Sequence, residues 1–150
     1  AKEERRSVGG REQSVLVHRK GATRAFPAGH PEIPDAYRDV GQPVFLPGSM
    51  GSYSYVLAGG QRSLDLTFGS TAHGAGRRKS RTQAKDEYTA GELQKALRAR
   101  GIFVRARSGG TLIEEAPGAY KDIDEVVRVS DALGIGTKVA RTTPLANIKG

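Results

Sequence analysis

Between Thr67 and Ser80 the chain reads Thr-Phe-Gly-Ser-Thr-Ala-His-Gly-Ala-Gly-Arg-Arg-Lys-Ser, crowding one histidine, three glycines and a run of cations together. Small side chains let a ligand come close to the backbone. Gly69, Gly74 and Gly76 can take conformations that turn successive N–H groups toward one concave side, which makes a site for an anion. Arg77, Arg78, Lys79 and Arg81 add positive charge where the pattern predicts a helix to begin, and a helix N-terminus favours anions too. His73 stands among these groups. A neutral imidazole has an ordinary pKa of about 6.5, is mostly deprotonated near pH 7, and can attack phosphorus. Two readings follow: His73 is a nucleophile toward a bound phosphate, or it only hydrogen-bonds a loop carbonyl. Neither standard nucleotide pattern is present. Ala75 stands where a P-loop beginning at Gly69 needs lysine, and Lys79 where a dinucleotide fingerprint beginning at Gly74 needs its last glycine.

Other chemistry-bearing residues have plainer readings. His18 ends an apolar run and His30 lies between Gly29 and Pro31; structural roles suit both. The three histidines, 12 and 43 residues apart with no cysteine, match no self-contained metal pattern. Glu114 and Glu115, and the group Asp122, Asp124 and Glu125, read as capping and solvated carboxylates rather than as a paired acid and base. Tyr53, Tyr55, Tyr88 and Tyr120 could stack on bases, as aromatics interleaved with positive charge do, though core packing suits Tyr55 better. Arg98, Arg100, Arg105 and Arg107 read as a solvated face.

Stepping outward, the 150 residues hold 24 Lys and Arg against 16 Asp and Glu, a formal net charge of +8 that calls for an anionic partner. One domain is the expectation at this length, burying roughly 68–70% of the surface its unfolded chain would expose. Hydrophobic residues make up 37%, and no apolar run approaches the roughly 20 residues of a membrane span, so no membrane role is expected. With no cysteine, a disulfide framework, a thiolate zinc site and a cysteine nucleophile are excluded, which fits a cytoplasmic location. No signal peptide precedes the first apolar run, and Ala1 in place of methionine reads as a processed or partial polypeptide.

The elements that must position His73 are short, because twenty glycines and seven prolines punctuate the chain. Gly9-Gly10 suits a hairpin turn after a charged opening, leading into a strand over Ser14–Arg19. Pro27, Pro31 and Pro34 make Lys20–Gln42 an ordered loop. Strands are predicted at Pro43–Leu46 and Tyr53–Leu57, at Ile102–Val104, and at Thr137–Thr142. Thr89 with Glu92, and Asp122 with Glu125, have the capping-box spacing, so helices are predicted from Thr89 to about Arg100 and from Asp122 to a stop at Gly134. Strands and helices interleave, which is the α/β class with mixed sheets and flanking helices.

Six stretches in this order resemble the RtcB family of RNA-splicing ligases: His18–Arg24, Asp39–Pro43, Pro47–Gly51, Gly69–Arg77, Glu115–Tyr120 and the terminal Lys149-Gly150. The match covers only the C-terminal portion of the family's catalytic domain, and Ala1-Lys2-Glu3-Glu4 looks like the continuation of a His-Asn segment upstream. The resemblance implies an enzyme that joins RNA 2′,3′-cyclic phosphate or 3′-phosphate ends to 5′-hydroxyl ends, in tRNA splicing or RNA repair, using GTP and Mn2+. By that resemblance His73 takes GMP as a covalent intermediate, and Gly74, Ala75 and Gly76 hold the reacting phosphate. Pro47, Gly48, Ser49, Met50 and Ser54 would form the nucleotide pocket, Tyr120 would pack against the nucleotide, and Lys149 would contact the guanine. Arg19, Lys20, Arg77 and Arg81 are candidates for RNA phosphates on charge. The family's manganese ligands lie upstream of Ala1, so this chain alone is expected to lack the metal site and to be inactive by itself. Archease is a possible helper. Two alternatives stand beside this reading: a basic RNA-binding module whose glycine-rich loop holds a phosphate without turnover, and a histidine phosphotransfer enzyme unrelated to RNA.

Overall fold

A computed structural model describes residues 1–149; Gly150 of the terminal pair lies outside the described residues. At the start of the chain Gly9 and Gly10 both take positive φ, 59° and 78°, the backbone that a two-residue hairpin turn demands. Strand β1 (Lys2–Val8) therefore folds back on β2 (Arg11–Val17), with Val8 opposite Arg11. The charged opening is itself a strand, and its partner begins three residues before the predicted Ser14. Its one buried residue is Glu4, held by Arg19 and Arg6.

The proline-rich stretch is not wholly loop. Ala22–Arg24 forms β3, because Pro27, Pro31 and Pro34 all lie beyond it and leave its amides free to pair. Asp35–Tyr37 is a single 3₁₀ turn after Pro34. The next elements in order are β4 (Pro43–Leu46), β5 (Ser54–Gly59), helix α1 (Ser63–Thr67) and β6 (Ser70–Ala72). The antiparallel partner of β3 is β6, in the register Ala22 to Ala72. Phe26, completely buried just past β3, stacks on the His30 ring with centroids 3.9 Å apart.

Helix α2 (Arg81–Glu87) starts four residues later than the cationic run suggested. Ser80 and Gln83 form its capping box, while the N–H groups of Arg78 and Lys79 both donate to the Ala119 carbonyl, so neither residue is helical. Helix α3 (Ala90–Ala99) has the predicted Thr89 cap, and Gly101 at φ 73° ends it. Strand β7 (Phe103–Ala106), helix α4 (Gly109–Glu114), helix α5 (Ile123–Ala132), strand β8 (Gly136–Thr142) and strand β9 (Ala146–Lys149) complete the chain. At the head of α5, Asp122 accepts from the Asp124 amide, and Glu125 pairs with Arg128 rather than closing a box.

The sheets are small, as the mixed class leads one to expect. The antiparallel order β4-β5-β8 makes three strands, and β7 pairs parallel with β9. Two apolar clusters hold them. Val44, Leu46, Tyr55, Leu57, Ile123 and Val127 join the three-stranded sheet to α5. Met50, Leu97, Ile102 and Leu112 join α3, α4 and the base of β7. Tyr55 is core, its hydroxyl donating to Asp124 at 2.8 Å. Among the described residues no helix is long and apolar enough to cross a membrane.

Candidate active site

His73 follows β6 directly, and its backbone N–H donates to the Gly21 carbonyl at 3.1 Å, extending the β3–β6 pairing by one residue. The main chain is thereby fixed while the imidazole is exposed. Among the described residues its ring makes no hydrogen bond to a loop carbonyl, so the structural reading of His73 finds no partner. The ring faces a cavity of 250 Å³, walled by the turn after β4, by His73–Gly76, and by three later segments that supply Glu115, Tyr120 with Lys121, and Lys149.

The turn after β4 is shaped by its own small residues. The Gly48 N–H donates to Ser54 Oγ at 3.0 Å and the Ser49 N–H to Ser52 Oγ at 2.7 Å. A Cβ on Gly48 would lie 1.9 Å from the Tyr53 carbonyl oxygen, so only glycine lets the two backbones come this close. Pro47, Gly48 and Ser49 line the cavity as expected. Ser54 stands behind them as a buttress. Met50 does not line it: the side chain is completely buried with Leu97, Ile102 and Leu112, where an unbranched thioether fills the gap between two helices and a strand.

The opposite boundary of the His73 loop is closed by an antiparallel bridge from Arg77 to Tyr120 and by the Lys121 N–H donating to the Gly76 carbonyl. Arg77 Nη1 donates to the Tyr120 hydroxyl at 3.0 Å, Nη2 to the Glu114 carbonyl at 2.7 Å and Nε to the Lys79 carbonyl at 3.0 Å. Arg77 was expected on RNA phosphates; its donors are instead taken inside the protein. The Tyr120 hydroxyl donates in turn to Glu115 Oε2 at 2.8 Å. Burial first, and that carboxylate second, push the phenol above its ordinary pKa, so it stays a neutral donor.

Lys149 reaches the cavity through strand alternation. On β9 Asn147 and Lys149 point inward, Asn147 Nδ2 donating to the Met50 carbonyl at 3.1 Å, whereas Ile148 is 81% exposed on the other face. Arg19 is also turned inward: it pairs with Glu4 at 2.7 Å and donates to Ser70 Oγ and the Phe68 carbonyl, both at 2.9 Å. It therefore braces β6 rather than facing solvent. Of the four cations expected on RNA, Lys20 and Arg81 are exposed.

Residue patterns singled out most of this wall but not Glu115, Ser52 or Lys121. Glu115 had been read as a solvated carboxylate, since a negative charge beside a phosphate site is electrostatically unwelcome. A larger hollow of 490 Å³ between β6 and α5 is lined by Ala72, Val126, Val129 and Ile135 and brings no nucleophile. Among the described residues no three His, Cys, Asp or Glu side chains come together to hold a metal ion. An exposed imidazole, a turn of small residues and the ammonium groups of Lys121 and Lys149 can together bind a phosphate ester and attack it.

The family model described as tRNA-splicing ligase RtcB matches residues 1–150. A protein named tRNA-splicing ligase RtcB from Thermococcus kodakarensis is 57% identical over 150 residues, all of this chain and 31% of that protein. Its namesake from Nanoarchaeum equitans is 52% identical over 150 residues, again all of this chain and 31% of the relative. The Pyrococcus abyssi protein is 54% identical over 149 residues, 99% of this chain and 16% of its own length. The chain thus spans less than a third of these relatives, and matches the family from its first residue to its last: it belongs to the tRNA-splicing ligase RtcB family.

Proposed function

We propose that this chain is the guanylyl-accepting part of an RNA ligase. The observation that carries the reading is the imidazole of His73, unbonded and exposed in a cavity whose walls are glycine backbone, tyrosine and lysine. In the proposed reaction an imidazole nitrogen attacks the α-phosphorus of GTP. An N–P bond forms, the bond from that phosphorus to the bridging oxygen breaks, and pyrophosphate leaves with the electron pair. GMP then passes to an RNA 3′-phosphate, and the 5′-hydroxyl of the second RNA displaces GMP and seals the strand. Division through a covalent intermediate replaces one hard transfer by easier ones.

The chain's own residues would do the following. The small-residue turn Gly74-Ala75-Gly76 admits the phosphate to the backbone, and Lys121 and Lys149 offset its charge. Tyr120, held by Arg77, packs against the nucleoside. The relatives' name, tRNA-splicing ligase, supports RNA as the substrate class, and the net charge of +8 suits it. The manganese that the resemblance implies does not fit the described residues, whose carboxylates and imidazoles form no such cluster. Its ligands would have to come from outside this chain.

The test is α-labelled GTP with the whole protein and manganese. Acid-labile, alkali-stable label on the wild type, absent from His73→Ala, is the expected result. Label at full yield on His73→Ala would reject the assignment. No label on the wild type, with RNA binding intact, would favour the non-catalytic module.

A further inference from the structure

The cavity that holds His73 contains one carboxylate, and it sits where a phosphate site would not want it. Glu115 Oε2 lies 3.4 Å from Lys149 Nζ and accepts from the Tyr120 hydroxyl, while Oε1 is 3.6 Å from Arg77 Nη1. The side chains of Glu115 and Lys149 are 24% and 31% exposed, so the pair is open to the cavity yet partly shielded from water. A carboxylate has about four acceptor positions, and the two found on Oε2 leave others open. What suits an acceptor beside a donor is a ligand edge with a donor beside an acceptor. Guanine has one: O6 is an acceptor, and N1–H and the 2-amino group next to it are donors.

We infer that Glu115 is the specificity-determining residue for the base. It accepts from N1–H and the 2-amino group of guanine while Lys149 donates to O6. Adenine reverses the pattern, placing its 6-amino donor toward the ammonium and its N1 acceptor toward the carboxylate. Both protein groups would then be left unpaired in a partly desolvated site, the situation that discriminates most sharply between similar ligands. The inference rests on the proposal that a guanosine nucleotide occupies this cavity.

Glu115→Gln tests it in the whole protein with manganese, because the amide keeps the size but loses the charge and one acceptor. GTP is compared with ITP, whose base differs only in lacking the 2-amino group, and ATP serves as the excluded base. The wild type is expected to favour GTP over ITP about tenfold in kcat/KM for labelling, the worth of one charge-assisted hydrogen bond. In Glu115→Gln the ratio falls to within about twofold of unity. A ratio unchanged in the variant overturns the inference, as does a loss that strikes GTP and ITP equally, since that is the signature of a residue that only orders the wall. Equilibrium binding of GMP and IMP reads the same ratio without chemistry. A protein that binds GMP over IMP through Glu115 but never becomes labelled would keep this inference and sink the covalent mechanism.

Discussion

The guanidinium of Arg77 lies 4.8 Å from the centre of the Tyr120 ring and donates to the hydroxyl of the same residue, 43 positions later in the chain. With its bonds to the Glu114 and Lys79 carbonyls it ties three segments of the cavity wall together. A planar fork can do this and an amide cannot. Arg77→Gln is expected to destabilise the fold by about 1–3 kcal/mol in chemical denaturation, because buried carbonyls lose a charged donor. If Arg77 neutralised an RNA phosphate, the variant would also flatten the log-log salt dependence of RNA binding by about 0.7. The expected slope change for Arg77→Gln is zero, and the exposed Lys20 and Arg81 are the positions where alanine should lower it.

Lys149 offers a cleaner separation of nucleotide from RNA. Its ammonium is placed by the parallel pairing of β9 with β7, and truncation leaves Ala106 and Asn147 to hold that register. Lys149→Ala is expected to raise the KM for GTP in labelling about tenfold, one charge-assisted hydrogen bond, with RNA affinity within about twofold of wild type. Equal labelling by the two proteins at limiting GTP would remove Lys149 from the nucleotide site.

Gly48 and Gly74 face the same cavity and should behave oppositely. A methyl on Gly48 meets the Tyr53 carbonyl oxygen at 1.9 Å, a backbone atom that cannot step aside, whereas on Gly74 it meets the Pro47 carbonyl oxygen at an ordinary 3.7 Å. Gly48→Ala is expected to lose about 2 kcal/mol or more of stability, as overpacking against a fixed neighbour does. Gly74→Ala should fold with wild-type stability, so thermal denaturation of the two variants side by side checks the local geometry, and any loss of labelling in Gly74→Ala reports on phosphate approach alone.

What was readable in the residue order is what local chemistry decides. Pro43–Leu46 is a strand with the predicted bounds, Gly9-Gly10 turns the hairpin, and Thr89 and Gly101 bracket α3. The elements that escaped depend on partners far away in sequence. Ser70–Ala72 is a strand because Ala22–Arg24 lies beside it, and β9 exists because β7 accepts it in parallel. Helix α4 opens on Gly109-Gly110, each costing about 1 kcal/mol relative to alanine, and stands because Ser108 caps it and Leu112 is buried against Leu97 and Met50. The same division runs through the cavity. Gly74–Gly76, Pro47–Ser49, Tyr120 and Lys149 were recognisable in their motifs, and the cavity brings them together with His73. Met50 sits in one of those motifs and yet is core, since only packing distinguishes a buried methionine from one at a pocket rim. Glu115 could have been found by asking why a carboxylate interrupts an otherwise cationic wall.

Glu4 links acid stability to the strand that carries His73. Its carboxyl is held below the ordinary value of 4.5, first by the hydrogen bond from Arg19 and then by the charges of Arg19 and Arg6, which together outweigh burial. A carboxylate whose folded pKa is depressed stabilises the fold fully above its unfolded value, and that stabilisation is lost as pH falls from 4.5 through the folded value. Arg19 spans from Glu4 to Ser70 and the Phe68 carbonyl, so protonating Glu4 loosens the brace beneath β6. Denaturation midpoints of this chain should therefore be flat above pH 4.5 and decline below it, to the extent of about 2 kcal/mol from this group. Glu4→Gln should be less stable by a similar amount at pH 7 and should have a shallower acid limb. A variant whose acid limb keeps the wild-type steepness would place the acid sensitivity in other carboxylates, and would leave the Arg19 brace without a measurable share in holding the His73 strand.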